Sequence, residues 1–231
     1  MSMVNRVVLA CVLGSTCALG QAVTPIAGLV NTGAGNLSNP DAIDQNYAFG
    51  VIAGTATGTA TACTSTTGLC GHVAIDPVFP VSSPWIAPGG PSAWLTPSSN
   101  QAQNYDPTSD GIYTWTLSFN LAGFDPATAS FSGQFAADNG STVKLNNGSV
   151  LNTANSFSNW TGFSANSGFV AGLNTLTFTV TNTAQVLGNP TGLRVQFLTS
   201  NVSPIPEPAS YALMLCGLLA VAGAARRRSR G

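Results

Sequence analysis

The stretch IYTWTLSFN, residues 112–120, carries the clearest secondary-structure signal in the chain. Large apolar side chains alternate strictly with small polar ones, so that every second residue falls on the same face. A period of two is the pattern of a β-strand with one buried face and one face in water. The stretch therefore predicts an amphipathic strand whose buried side chains are Tyr113, Trp115, Leu117 and Phe119.

The same alternation recurs on both sides of this strand. It is clear in residues 129–135, 175–181 and 193–197, and shorter segments at 47–51 and 143–145 share it. Residues 146–148, Asn-Asn-Gly, follow the last of these, and Asn-Gly pairs favour tight hairpin turns. Many short strands with turn residues between them predict an all-β fold, an antiparallel β-sandwich that covers residues 23–203.

Residues 76–107 depart from this pattern because they contain seven prolines, with Trp85 and Trp94 among them. Proline has no N–H to donate to a central β-ladder. The segment is therefore expected to form a long packed loop or a set of edge strands, and we see no second domain in it.

Charge is scarce and unevenly placed. Only 6% of the 231 residues are Asp, Glu, Lys or Arg. Lys144 and Arg194 are the only basic residues between the two ends of the chain, whereas all seven aspartates lie there. An acidic body lacks the basic surface that nucleic-acid binding needs, so we expect no nucleic-acid partner.

The N-terminus has the three parts of a secretory signal peptide. Arg6 supplies the positive charge, residues 7–19 form an apolar segment too short to span a bilayer, and small residues precede Ala22. We predict a signal helix at residues 1–22, removed by cleavage after Ala22.

The C-terminus has a second apolar segment, the uncharged residues 209–225, which as a helix would reach about 26 Å. An arginine cluster follows at once and argues against a buried core helix. Since positive residues beside a span stay cytoplasmic, the sequence predicts a transmembrane helix with everything from about residue 23 to 208 exported. The cluster consists of Arg226, Arg227, Arg228 and Arg230.

Just before this segment stand Pro206, Glu207 and Pro208, and Glu207 is the only glutamate in the chain. The order of this tripeptide, an apolar helix and terminal arginines resembles the PEP-CTERM sorting domain, here residues 204–231. The resemblance implies that an exosortase, a membrane-embedded cysteine protease-transpeptidase, cleaves near the motif while the tail holds the protein at the inner membrane. It also implies a Gram-negative producer of exopolysaccharide, and delivery to the envelope, outer surface or extracellular matrix.

The prolines suit such a role because proline is excluded from helix interiors and keeps the residue before it extended. With prolines at 204, 206 and 208, the segment is expected to be an extended peptide that a protease can accept.

Two cysteines, Cys63 and Cys70, lie in the body. In an oxidising compartment we expect them to form a disulfide that closes a short polar loop. The rival interpretation, a metal site completed by His72, lacks a fourth ligand and the usual close spacing.

A second resemblance covers residues 111–197. The segments FDPATASFSGQFAADNGSTVKLNNG and GFVAGLNTLTFTVTNTAQVLGNPTGLRVQF look like parts of the galactose-binding-like jelly-roll domains of exported bacterial proteins. The resemblance implies a jelly-roll-like β-sandwich, whose first strands residues 42–104 would supply.

The sequence offers little for catalysis. His72 is the only histidine, no G-x-S-x-G motif is present, and we expect His72 to be a surface or strand residue. The aspartates Asp41, Asp110, Asp125 and Asp138 stand in turn-like contexts, where Asp bonds its own backbone. We therefore predict no enzyme, no catalytic residue and no cofactor.

Aromatic residues in loop-like contexts are candidates for glycan contact, because sugar rings stack on aromatic faces. The candidates are Trp85, Trp94, Tyr105 and Trp160. The alternative is that these large side chains serve the core. Asp41 and Asp44 together are an alternative site for a calcium ion, which takes carboxylate and carbonyl oxygens.

Three functions remain open on these grounds. The first is an exported, non-enzymatic envelope or matrix protein associated with exopolysaccharide. The second is a carbohydrate-binding adhesin or lectin with a defined glycan ligand. The third is a polysaccharide hydrolase that uses Asp residues.

Overall fold

A computed structural model describes residues 23–58, 63, 69–205 and 210–228. The described part contains ten strands and one helix. The predicted signal peptide, residues 1–22, lies outside the described residues, as does the tripeptide at 206–208.

The strands follow one another from residue 43 to residue 204. Their bounds are β1 Ile43–Ala53, β2 Leu69–Ala74, β3 Trp94–Thr96, β4 Gly111–Asn120, β5 Phe124–Asp138, β6 Gly140–Leu145, β7 Val150–Ala154, β8 Thr161–Ala165, β9 Leu173–Asn182 and β10 Gly192–Pro204, and the helix is α1 Ser210–Arg228.

All pairings are antiparallel, and the strands form one sheet in the order β7-β6-β9-β4-β1-β2-β3-β10-β5-β8. The predicted strand at residues 112–120 is confirmed as β4, between β1 and β9. Its residues 113, 115, 117 and 119 are buried, which is the face that the alternation predicts.

The sheet folds over so that its two halves face each other across a shared core. Phe178 of β9 packs against Phe135 of β5 and Phe163 of β8, with ring centres 5.6 and 5.7 Å apart, although these strands are far from β9 in the hydrogen-bonded order. Large apolar side chains dominate this core, and their burial is the main stabilising term. The predicted all-β, antiparallel, jelly-roll-like sandwich is confirmed.

The other predicted strands are confirmed as parts of β1, β5, β6, β9 and β10, most of them longer than the alternating segment alone. The structure of the proline-rich segment differs in part from the prediction. Most of it is irregular, as expected, but Trp94–Thr96 forms β3, which pairs with both β2 and β10 and is therefore not an edge strand. The three residues of β3 lie within the five residues that separate Pro91 from Pro97, so the ladder contains no proline.

The two ends of the body meet at one corner. Thr24 and Val202 exchange backbone hydrogen bonds of 2.9 and 2.8 Å, and the Ile205 N–H donates to the Gly123 carbonyl. Strand β10 runs away from this corner, and its 13 residues span about 40 Å. Gly192, at its far end, pairs with Asp138.

The C-terminal helix α1 covers Ser210–Arg228 and includes Arg226 and Arg228. Within the described residues, no helix combines the length and the apolar character needed to cross a bilayer, so the structure does not confirm the predicted transmembrane helix at residues 209–225.

Candidate functional site

The predicted disulfide between Cys63 and Cys70 is present, with Cα atoms 5.6 Å apart. Cys70 lies on β2, and His72 follows it on the same strand, half-buried, as expected. The His72 Nδ1 atom lies 2.9 Å from the Asp41 carbonyl oxygen. Both groups therefore serve the structure of this edge of the body.

The predicted aromatic platform for glycans is wrong for three of its four members. Trp85, Trp94 and Tyr105 are each at most 3% exposed. The Trp85 and Trp94 rings pack against each other with centres 4.4 Å apart, and Trp94 Nε1 donates to the Ile86 carbonyl. The two tryptophan rings are buried in a small cluster with Ala74, Val81 and Ala136, and Tyr105 belongs to the main core, so none of these faces is open to a sugar.

Trp160, the fourth member, is half-buried and packs beside Arg194. The Arg194 guanidinium is buried and donates to four oxygens within 3.0 Å, all of them neutral. Burial lowers the Arg194 pKa to about 10. Arg194 thus holds the loop of residues 86–92 against β10. The acceptors are Ser92 Oγ and the carbonyls of Ala87, Gly89 and Ser92.

The two aspartates considered for calcium have different surroundings. Asp44 is fully buried, and its carboxylate accepts hydrogen bonds from the N–H groups of Gly33, Asn46 and Tyr47. Desolvation raises the pKa of Asp44, whereas these hydrogen bonds lower it. Asp41 is exposed. In the described part of the chain, no group of three or more His, Cys, Asp or Glu side chains is placed to hold a metal ion.

Two of the four aspartates that the sequence predicts in turns, Asp125 and Asp138, lie in strand β5 instead. Asn139 and Gly140 follow Asp138 and indicate a turn, but Asp138 ends β5 and is only 5% exposed. Trp85 Nε1 donates to Asp138 Oδ2 at 2.9 Å, whereas Oδ1 has no hydrogen-bond partner. Burial raises the pKa of Asp138 to about 7.

A cleft of about 200 Å³ lies beside this carboxyl. Aromatic and proline side chains form part of its wall, and amide side chains form another part. The position of Trp85 at its base depends on Gly192, since a Cβ there would lie 2.8 Å from the Trp85 ring. The lining includes Phe79, Trp85, Phe157, Asn139 and Gln185.

A second surface lies on the outer face of β4, β9, β6 and β7. One row across these strands consists of threonines, because Thr114 pairs with Thr179, Thr179 with Thr142, and Thr142 with Thr153. A shallow groove of about 600 Å³ crosses this face. The face presents hydroxyl groups and little charge.

At the C-terminus, β10 ends at Pro204 and α1 starts at Ser210. Arg226 and Arg228 are exposed on α1, Arg227 lies between them, and Arg230 lies outside the described residues. Residues 204–229 match the family model of the PEP-CTERM protein-sorting motif. The chain ends in a PEP-CTERM tail. The match spans the tripeptide 206–208, helix α1 and the arginines of the cluster up to Arg228, which are the elements that the sequence indicated.

Comparison with curated protein sequences gave no significant match. Among solved structures, the chain is similar to a mutant of a family 29 carbohydrate-binding module, at 11% identity and a TM-score of 0.30, over 67% of this chain and 92% of that one.

Two further solved structures show similarity. One is a PA14 sugar-binding domain from an RTX adhesin, at 13% identity and a TM-score of 0.24, over 42% of this chain and 56% of that one. The other is a family 35 carbohydrate-binding module from an environmental isolate, at 18% and 0.23, over 44% and 76%. The fold given above rests on strand pairing and core contacts alone.

Proposed function

We propose that this protein is an exported, non-enzymatic envelope or extracellular-matrix protein that an exosortase processes and that associates with exopolysaccharide. The observation that carries the proposal is the PEP-CTERM match at residues 204–229, which begins where the folded body ends. Among the described residues before α1, the last backbone contact is the hydrogen bond from the Ile205 N–H to the Gly123 carbonyl. Cleavage near residues 206–208 therefore removes the tail without cutting the sandwich.

The arrangement of the body supports a single point of attachment. Because Thr24, the second residue after the predicted signal peptide, is bonded to Val202, the start of the mature chain and the start of the tail share one corner. The exported chain is held at the membrane by this corner until processing, and the rest of the sandwich projects away from it.

Association with polysaccharide is supported by the surface chemistry. The threonine row on β4, β9, β6 and β7 offers donors and acceptors without the charge that would bind water or ions more strongly. Glycan hydroxyl groups have the same dual capacity. A broad face of this kind suits many weak contacts along a polymer.

The non-enzymatic part of the proposal is supported by the hydrogen bonds that two buried aspartates make inside the fold. The Asp44 carboxylate is bonded to backbone N–H groups, and Asp106 accepts from Thr55, Tyr113 and Asn182. A hydrolase that uses two carboxylates needs one as an acid and one as a base or nucleophile facing a common substrate. Carboxylates engaged in this way serve the fold.

The test is fractionation of producing cells. The wild-type protein is expected in the exopolysaccharide fraction, whereas the Glu207→Gln variant, which loses only the charge of the motif, is expected to stay with membranes. The Asp125→Asn variant makes the same carboxyl-to-amide change at a half-buried position at the start of β5, and it should fractionate like wild type. Equal distribution of the wild-type protein and the Glu207→Gln variant would contradict tail-directed sorting.

A second function, a glycan-binding adhesin or lectin with a defined ligand, is favoured by one specific observation, the cleft at Asp138. It is compatible with the first, because a matrix protein that recognises one sugar remains a matrix protein.

A further inference from the structure

The buried carboxyl of Asp138 has one oxygen that accepts no hydrogen bond. Five buried side-chain atoms in the described part of the chain have no partner, and Asp138 Oδ1 is the only one that belongs to a carboxyl group. Buried polar atoms are nearly always hydrogen-bonded, because a buried group left unpaired destabilises the folded state. An unpaired carboxyl oxygen beside a cleft therefore indicates a missing donor.

The neighbours of Asp138 fix it in place. Trp85 Nε1 donates to Oδ2, and the Thr191 hydroxyl donates to the Asp138 carbonyl at 2.8 Å. The Trp85 ring is itself packed against Trp94. Trp85 is thus a positioning residue that orients the carboxyl, and its ring face is already occupied.

Other aromatic groups remain available at the rim. Phe79 is 46% exposed and Phe157 is half-buried, and both line the cleft. Gln185 is exposed beside them and contributes an amide. An exposed phenylalanine next to a buried carboxyl combines an apolar face with a strong acceptor.

We propose that this cleft binds one neutral hexose residue of a glycan, with a sugar hydroxyl donating to Asp138 Oδ1 and the sugar ring lying against Phe79. This inference rests on the proposed association with polysaccharide and names its recognition site. The volume of about 200 Å³ accommodates a single sugar ring but not a folded peptide.

The choice of a hydroxyl ligand follows from the acceptor. Because burial raises the pKa of Asp138 to about 7, both the acid and the carboxylate are present near neutral pH. A hydroxyl group can donate to the carboxylate and accept from the acid. A uronic acid would place a second negative charge in the cleft, and a metal ion would find only one carboxyl there.

The position of the cleft agrees with this role. Asp138 pairs with Gly192 at one end of β10, and the tail follows Pro204 at the other end, about 40 Å away. The cleft therefore lies at the end of the sandwich opposite the membrane attachment, where it is open to extracellular glycan.

The test uses the ¹⁵N-labelled protein isolated from producing cells, titrated with methyl glycosides of glucose, galactose and mannose. We expect at least one of them to shift the indole N–H signal of Trp85 and the side-chain signals of Asn139 and Gln185 in a saturable manner. Methyl glucuronide at the same concentration should bind at least about tenfold more weakly.

Variants assign the contacts. Asp138→Asn keeps the shape and the acceptor for Trp85 and should weaken hexoside binding about tenfold, while the matched Asp125→Asn variant should bind like wild type. Phe79→Ala should weaken binding several-fold, and Val78→Ala, at an exposed neighbour outside the cleft, should not. An unchanged thermal unfolding midpoint of Phe79→Ala separates lost contact from lost fold.

Three results would overturn the proposal: no saturable shift with any hexoside up to about 100 mM, equal binding of wild type and the Asp138→Asn variant, or tighter binding of the glucuronide than of every hexoside. The proposed matrix function is tested separately, by cell fractionation. If no hexoside binds but the wild-type protein still accompanies exopolysaccharide in cell fractions, the matrix assignment stands and the cleft assignment falls. If wild type binds hexoside but never reaches that fraction, the reverse holds.

Discussion

The guanidinium carbon of Arg194 lies 5.2 Å from the centre of the Trp160 ring. This pair joins strand β10 to the segment before β8, and the same guanidinium bonds the carbonyls of Ala87, Gly89 and Ser92 in the proline-rich loop. One buried cation therefore fixes the position of a loop that has little regular secondary structure of its own. The same loop contains Trp85, whose Nε1 donates to Asp138 and positions its carboxyl.

The Arg194→Leu substitution is expected to destabilise the protein by about 2–4 kcal/mol, because several buried carbonyls lose their donor at once. Lys144→Leu is the matched control, since Lys144 is exposed on β6 and should change stability by no more than about 0.5 kcal/mol. Urea unfolding measures both. Equal stability of the two variants would show that Arg194 does not hold the loop.

Trp94→Ala should lower the free energy of unfolding by about 3–5 kcal/mol, because the ring is fully buried. Trp160→Ala should have a smaller effect, as its ring is half-exposed and mainly stacks on Arg194. Denaturant unfolding compares them. If the Trp94→Ala variant kept normal stability but lost glycan binding, Trp94 would be a glycan contact, as the sequence predicts, and not a core residue.

The disulfide should contribute about 2–3 kcal/mol, because it closes a short loop in the unfolded chain. Replacing Cys63 and Cys70 together by Ser tests this in the unprocessed chain, with Cys216→Ser, at an exposed position of α1, as the control. Mass spectrometry without reductant should find Cys63 and Cys70 linked. Two free thiols at these positions in the exported protein would contradict the pairing.

The stability of the protein should depend on Asp138 between about pH 4 and 7. The Asp138 pKa is raised to about 7 in the folded protein and has its ordinary value of about 4 in the unfolded chain, so the folded state binds more protons in this window. Its contribution is complete below about pH 4 and is lost as the pH rises through 7.

The Asp138→Asn variant does not titrate at this position. Between pH 4 and pH 8, its free energy of unfolding should rise relative to wild type by on the order of 1–4 kcal/mol. Asp44 is also buried, but it is present in both proteins and cancels in the comparison. Parallel stability curves for the two proteins would mean that Asp138 is not desolvated in the folded state.

The sequence predicted the strands well where one face is buried and the other is wet. Residues 112–120 show this alternation in full, and the burial of β4 follows it as far as Leu117, after which Ser118 is buried as well. Strand β3 was not predicted, because a strand of only three residues is too short to show an alternating pattern. Its place in the sheet depends on β2 and β10, which are distant in sequence.

The body's candidate site was harder to predict for the same reason. Asp138 precedes Asn139 and Gly140, and local composition of this kind indicates a turn. The pairing of Asp138 with Gly192 and the contact with Trp85 are long-range and bury the carboxyl. Likewise, nothing local distinguishes Arg194 from an ordinary solvent-facing residue of a strand. The tail was predictable because its signal is entirely local, in the order of the tripeptide, apolar helix and arginines.

The mass of the mature C-terminus tests the central claim most directly. Intact-mass and peptide mapping of the protein recovered outside the cells should give a chain that ends near residues 206–208 and lacks the arginines of residues 226–230. The same preparation should retain Ile205, whose backbone is bonded to the body. Recovery of the exported protein with its arginine cluster intact would contradict processing of the PEP-CTERM tail.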